Sequence, residues 1–74
     1  MIDTEHRTDG LISASVVAAK LAISARHLRR LSDAGRVPRP VRIGRAVRWR
    51  SAEIRAWISA GCPDARHWKW IDGR

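Results

Sequence analysis

The 74-residue sequence contains no phenylalanine, no tyrosine, a single cysteine and only seven acidic residues. Because an intramolecular disulfide needs two cysteines, the lone Cys62 excludes a disulfide framework, and this fits a reducing compartment. There is no apolar run long enough for a transmembrane helix and no recognisable signal peptide, so we expect a cytoplasmic protein. A chain of this length forms at most one domain and buries about 60% of its unfolded surface, which disfavours a large enclosed active site.

The residue patterns typical of catalysis and metal binding are also missing. The five glycines form neither a GxGxxG motif nor a P-loop, and no paired carboxylates suggest acid–base or two-metal chemistry. Cys62 and His67 could supply two metal ligands, whereas a structural zinc site needs four. His6 and His27 have no evident companions, and for His27 we expect a polar residue at the core margin, with a phosphate contact as the alternative. We therefore expect no enzymatic activity, no metal and no cofactor.

Arginine is what the sequence has in excess, and it is concentrated in the centre of the chain. The net charge is +8, and 13 of the 15 basic residues are arginine. Residues 26–55 carry ten arginines against Asp33 and Glu53, so this segment accounts for the whole net charge. The planar guanidinium suits phosphate and guanine edges, which favours a nucleic acid as partner. An acidic protein or an anionic lipid surface is the alternative that charge alone leaves open.

The stretch from Ser24 to Gly35 is predicted to form a short helix with two opposed faces. Ser24 is a good N-cap, and Gly35 can adopt the left-handed conformation that ends a helix. At about 100° per residue, Leu28 and Leu31 share one face with Ser24. The other face carries Arg26, Arg29 and Arg30. Repulsion between two arginines four residues apart costs a helix roughly 0.2–0.5 kcal/mol. This arrangement suggests a polyanion as partner, with a solvated charged face as the alternative.

A second helix is predicted over residues 14–21, with Ser13 as its N-cap. Its apolar face comprises Ala14, Val17, Ala18 and Leu21. The three residues 22–24 join the two helices, and this is the connection length of a helix-turn-helix, although any αα-hairpin would also fit. Ala22 occupies the tight turn, where alanine is acceptable only if its φ angle is not positive.

Residues 41–49 alternate with a period of two and are predicted to form a β-hairpin with a three-residue loop at 44–46. This loop places Ile43 opposite Val47 and Val41 opposite Trp49 on an apolar face. Arg42 then lies opposite Arg48 on the other face, and like charges in that position destabilise a bare hairpin. Arg45 projects from the tip beside Gly44. A two-stranded ribbon after the second helix is typical of the wing of a winged helix, and a plain surface hairpin is the alternative.

The remaining segments complete a division of the chain into three parts. A third helix is predicted over 52–60, capped by Ser51, ended by Gly61, and apolar at Ile54, Trp57 and Ile58. Residues 1–10 lack periodicity and are predicted to form a flexible arm, followed by a DNA-binding domain over 11–61. Residues 62–74 form a C-terminal extension in which Pro63 could begin a short helix. That helix would place Trp68 and Ile71 on one side and Trp70 elsewhere. For Trp70 we favour packing on the core over contact with a partner.

The order helix, turn, helix, proline link, hairpin, helix over residues 11–58 resembles the small MerR-like winged-helix domains of the AlpA and phage excisionase type. The matching stretches are LISASVVAAKLAIS (11–24), LRRL (28–31), AGRVP (34–38), RIGR (42–45), VRWRSAEI (47–54) and WI (57–58). The resemblance implies a mainly α fold with a small β-hairpin, that is, a winged helix-turn-helix. It also implies a recognition helix in the major groove over 24–31, a wing near the minor groove over 42–48, and cooperative assembly on repeated DNA sites.

We therefore expect a protein of bacterial, phage or mobile-element origin that binds double-stranded DNA. The predicted contact residues are Ser24, Ala25, Arg26, His27, Arg29 and Arg30 in the recognition helix, Arg42, Gly44, Arg45 and Arg48 in the wing, and Lys20, Arg39 and Arg50 at phosphates. The preferred role is an excisionase-like factor that binds and bends DNA beside an integrase. The alternatives are a small transcriptional regulator of a mobile element and, from another class, a basic module for RNA or an acidic protein. Expected partners are duplex DNA, a site-specific integrase and further copies of the chain in the nucleoid, but no membrane.

Overall fold

The computed structural model describes residues 10–70, which contain three α-helices and a small antiparallel sheet. In chain order the elements are β1 (Leu11–Ser13), α1 (Ala14–Leu21), α2 (Ala25–Asp33), β2 (Val41–Ile43), β3 (Ala46–Arg50), α3 (Ser51–Ser59) and a 3-10 turn (Ala65–His67). The predicted arm over 1–10 lies outside the described residues except for Gly10. None of the helices in 10–70 is long and apolar enough to cross a membrane.

Helices α1 and α2 begin at the predicted serine caps. The Ser13 hydroxyl accepts a hydrogen bond from the Val16 amide at 3.4 Å, and the Ser24 hydroxyl accepts one from the His27 amide at 3.0 Å. The expectation that alanine would avoid a positive φ in the turn between them is wrong, because Ala22 has φ 58° and ψ 40°. The turn keeps this conformation because the amides of residues 22 and 23 donate to the last carbonyls of α1, at 3.1 and 3.0 Å. The helix-turn-helix therefore contains a left-handed alanine.

The sheet has three strands in the order β1-β3-β2, so the hairpin is extended by a strand that the sequence did not predict. The predicted register of the hairpin is also wrong by one residue. Only Gly44 and Arg45 form the turn, and Ile43 pairs with Ala46. The other facing pairs are Val41 with Arg48, and Arg42 with Val47. Gly44 has φ 60°, which allows the shorter turn without the steric cost of a side chain.

Helix α3 begins directly after β3, and its predicted cap is displaced by one residue. The helix starts at Ser51, and Arg50 occupies the N-cap position without a side-chain cap hydrogen bond. Ser51 is the first helical residue, and its amide extends the β1–β3 ladder by donating to the Gly10 carbonyl at 2.9 Å. The sheet thus continues into the helix without a break, which fixes the hairpin relative to α3.

The core lies between the three helices and the inner face of the sheet. Its buried members are Val17, Ala18, Leu28, Val37, Trp49, Ile54 and Trp57. Trp49 donates its indole N–H to the Pro38 carbonyl at 2.9 Å, and Trp57 donates to the Pro63 carbonyl at 2.7 Å. These bonds tie the proline link and the C-terminal extension to the core, because each joins a buried ring to a segment without regular structure.

In the described part of the C-terminal extension, residues 62–70, a 3-10 turn takes the place of the short helix predicted from Pro63. Trp68 is half-buried and packs against the core, and its indole N–H donates to the Glu53 carboxylate at 3.1 Å. Trp70 is also half-buried, and Ile71 lies outside the described residues. The whole is a winged helix, as predicted, with a third strand added to the wing.

Candidate nucleic-acid interface

Helix α2 presents its predicted contact residues to solvent on the side opposite the core. Leu28 is fully buried and anchors the helix. The exposed positions are Ser24, Ala25, Arg26, His27, Arg29 and Arg30. Because the Ser24 cap already satisfies the His27 amide, the first turn is fixed without help from a ligand. The arginine face is therefore carried by a helix whose orientation is set by core packing and a cap.

A cleft of about 380 Å³ separates α2 from the hairpin and brings their arginines together. Arg29 lines it from α2, and Arg42 and Arg45 line it from the hairpin. Its remaining walls include the apolar side chains of Leu28, Val47 and Trp49, as well as Ser32 and Asp33 from the last turn of α2. Two basic surfaces from separate parts of the chain thus converge on one concave region, which we call the arginine cleft.

The register explains why Arg42 lies in the arginine cleft and Arg48 does not. Facing residues of an antiparallel pair share one side of the sheet, so Arg42 lies on the same side as Val47. Arg48 is one residue further along β3 and therefore lies on the opposite, outer face. Its guanidinium donates to the Val47 carbonyl at 2.9 Å. The prediction that Arg42 and Arg48 share one face of the wing is wrong.

The other predicted phosphate contacts lie at separate places. Arg50 pairs with Leu11 and shares the outer face with Arg48. Lys20 is exposed in the last turn of α1, and Arg39 is exposed in the proline link. Arg39 lines a second cleft of about 550 Å³, which it shares with Trp68 and other residues of the C-terminal extension. These three side chains are not brought together in the arginine cleft.

The arginines of the centre have no ion-pair partner within residues 10–70. The only salt bridge in this part of the chain joins Arg66 to Asp64 at 2.7 Å. Hydrogen bonds from the Arg66 side chain and amide hold the pKa of the Asp64 carboxyl well below its usual range. This pair belongs to the C-terminal extension, and within residues 10–70 Asp33 is the one carboxylate that lines the arginine cleft, so the surface of α2 and of the hairpin keeps a positive net charge in this part of the chain. Such a surface attracts a polyanion.

Sequence reasoning missed Ser32 and Asp33 as lining residues of the arginine cleft. Both lie one helical turn after Arg29, at i+3 and i+4, so the helix period could have placed them on the same side. Asp33 is the one carboxylate that residues 10–70 contribute to the lining. Across residues 10–70 no group of three or more His, Cys, Asp or Glu is arranged to hold a metal ion.

A comparison with protein families agrees with this geometry. The family model described as "Prophage CP4-57 regulatory protein (AlpA)" matches residues 10–62, a span that begins just before β1 and includes all three helices and the hairpin. No curated protein and no solved structure matches the chain. Because the matched span covers most of the sequence, the chain belongs to the AlpA family of phage-type regulatory, DNA-binding proteins.

Proposed function

We propose that this protein binds double-stranded DNA sequence-specifically, with α2 in the major groove and the inner side of the hairpin against the neighbouring backbone. The observation that carries the proposal is the arginine cleft, in which Arg29 of α2 faces Arg42 and Arg45 of the hairpin. A duplex is the polyanion that fits best, because an exposed helix and a ribbon beside it match a groove and its phosphate wall.

Within this interface the two elements have different tasks. Arg26, Arg29 and Arg30 are the candidates for base readout, and each bidentate contact between arginine and guanine contributes roughly 1–3 kcal/mol of discrimination. Ser24 and Ala25 lie close to base edges at the N-terminal end, and His27 contacts phosphate. Arg45, beside Gly44 at the exposed tip, is the candidate for insertion into a narrow A·T-rich minor groove.

Lys20 and Arg39 are assigned to phosphates outside the grooves. Phosphate contacts position a protein on the duplex and add affinity that does not depend on sequence. Arg48 and Arg50 lie on the outer face of the sheet, away from the arginine cleft, and we leave them out of the interface.

Two biological roles are compatible with this mode of binding. An excisionase-like factor would occupy attachment sites, bend them and contact an integrase, and it would assemble cooperatively with further copies. A transcriptional regulator would occupy an operator near a promoter, and the word "regulatory" in the family description favours this second role. Mapping of bound sites in the genome, together with a circular-permutation assay for bending, separates the two.

The decisive experiment compares two arginines that are both exposed but have different tasks. A binding site is first selected from a random duplex library, and affinities for that site and for random duplexes are then measured by fluorescence anisotropy. Arg29→Ala is expected to weaken binding and to reduce the ratio between the two affinities. Arg39→Ala is expected to weaken both equally, because a phosphate contact reads no sequence. Equal losses on both duplexes for both variants would refute the assignment of α2 to base readout.

The competing hypothesis, a basic module for RNA or an acidic protein, is tested in the same assay. About six phosphate contacts predict that log affinity falls with log salt concentration at a slope near −5. Unlabelled duplex DNA is expected to displace the labelled site better than RNA or heparin at equal charge. If RNA or heparin competes equally well, the protein recognises charge and not the shape of a duplex.

A further inference from the structure

The outer face of the sheet is a second surface that DNA binding leaves unused. Along β3, Val47 and Trp49 point into the core, so the alternate positions 46, 48 and 50 point outward. Their partners across the sheet share that outer side. The outer face consists of Leu11, Ser13, Val41, Ile43, Ala46, Arg48 and Arg50.

This face combines exposed aliphatic side chains with positive charge. Ile43 is 54% exposed and Leu11 is 43% exposed, and they are two of the three large hydrophobic residues exposed in the described part of the chain. Arg48 and Arg50 are interspersed among the aliphatic residues, and none of the seven residues is acidic. Ile43 and Leu11 lie at opposite corners of the face, beside Ala46 and Arg50 respectively, so a partner segment that crosses the sheet diagonally would shield both from water.

We propose that the outer face binds a segment of a partner protein that presents aliphatic and acidic side chains together. Carboxylates of the partner would pair with Arg48 and Arg50, and its aliphatic groups would cover Ile43 and Leu11. A second duplex fits less well, because a phosphate backbone offers nothing to bury an isoleucine against.

A second copy of this chain also fits less well, because it has no suitable acidic surface within residues 10–70. Glu53 accepts a hydrogen bond from Trp68, and Asp64 is paired with Arg66. The remaining carboxylate of this part, Asp33, lies in the arginine cleft of its own molecule. The outer face therefore calls for acidic groups that residues 10–70 of a second copy do not supply, and we assign them to a foreign partner.

The hairpin offers two arginines of equal charge on opposite sides, which makes a matched test possible. Arg42 lies on the inner side with the arginine cleft, and Arg48 lies on the outer face. The protein can therefore hold DNA and the partner segment at once. Arg42→Ser should impair DNA binding alone, and Arg48→Ser should impair partner binding alone.

The experiment uses the full chain bound to a duplex and a displayed library of random linear peptides as the probe. Peptides rich in both acidic and aliphatic residues are expected to be enriched, and one of them is synthesised for affinity measurements. Ile43→Ser and Arg48→Ser should each weaken that peptide about tenfold, while Arg42→Ser should change it less than about twofold. Thermal melts confirm that each variant is folded.

Ile43→Ser is the sharper variant, because it changes no charge and its side chain lies largely outside the core. Enrichment of purely acidic peptides that respond equally to Arg42→Ser and Arg48→Ser, but not to Ile43→Ser, would mean simple charge attraction and would overturn the proposal. Loss of DNA affinity in Arg48→Ser equal to that in Arg42→Ser would assign the outer face to DNA. Concentration-dependent dimerisation that is abolished by Ile43→Ser would assign it to a second copy.

Discussion

Replacing Ala22 by glycine should stabilise the protein, because this alanine closes the helix-turn-helix in a left-handed conformation. Its φ of 58° and ψ of 40° bring the Cβ atom close to the following carbonyl, which costs an L-residue about 1–2 kcal/mol. Glycine removes that cost but loses more conformational freedom on folding, about 0.4–1 kcal/mol. The difference is a net gain of about 0.5–1 kcal/mol, and both backbone hydrogen bonds of the turn are retained.

Thermal unfolding followed by circular dichroism measures this effect. A gain of this size should raise Tm by about 2–8 °C in a domain of this length. Ala19→Gly is the matched control, since Ala19 is exposed on the same helix α1 in a regular helical conformation. Glycine there should destabilise by about 1 kcal/mol. If Ala22→Gly lowers Tm in the same way as the control, the turn does not hold a strained alanine and the reasoning fails.

Three further outcomes follow from contacts in the wing and the C-terminal extension. Trp49→Phe removes the indole donor from the Pro38 carbonyl and should destabilise by about 1–3 kcal/mol in urea unfolding, whereas an unchanged midpoint would mean that the bond is dispensable. Gly44→Ala should lower the free energy of unfolding by about 1–2 kcal/mol in the same assay. A Cβ at this position meets no atom within 4 Å, so the cost comes from the φ of 60° alone, and an unchanged stability would mean that the turn has a different conformation. Because its pKa is lowered in the folded state, ionised Asp64 contributes to the free energy of unfolding above about pH 4. This contribution is lost as the pH falls further, because the folded state then binds fewer protons than the unfolded chain. Stability of the Asp64→Asn variant should therefore fall less steeply between pH 5 and pH 2 than that of the parent; equal slopes would exclude the pair with Arg66 as a source of the pH dependence.

The helices were predictable because their signals are local. A serine cap, a stretch with helical spacing and a terminal glycine lie within about a dozen residues of one another, and each acts through its neighbours. The caps at Ser13 and Ser24 are therefore confirmed. Ser51 has the same local signal, yet the helix begins at Ser51 itself, where a backbone hydrogen bond to Gly10, far away in the sequence, continues the β1–β3 pairing up to the first residue of the helix.

The errors in the sheet have the same origin. Strand β1 has only three residues, too few to show alternation, and it forms by pairing with β3 across more than thirty residues. The hairpin could close with two or three residues around Gly44, and the sequence favours neither length decisively. One residue of difference moves a side chain to the other side of a strand. This is why Arg42 and Val47 share a side instead of Arg42 and Arg48.

The coarse expectation of DNA binding survives these errors because the family match spans residues 10–62 and the excess of arginine over carboxylate does not depend on how the hairpin pairs. Glu53 is held by Trp68 and Asp64 by Arg66, both in contacts with the C-terminal extension. Among the carboxylates of residues 10–70, Asp33 alone lines the arginine cleft, and it forms no ion pair with another residue of this part. One carboxylate does not balance the arginines of α2 and of the hairpin, so their repulsion opposes folding in the free protein, and a bound duplex would relieve it by supplying negative charge. Added salt should thus stabilise the free protein while it weakens the complex, since screening removes the repulsion in one and the attraction in the other.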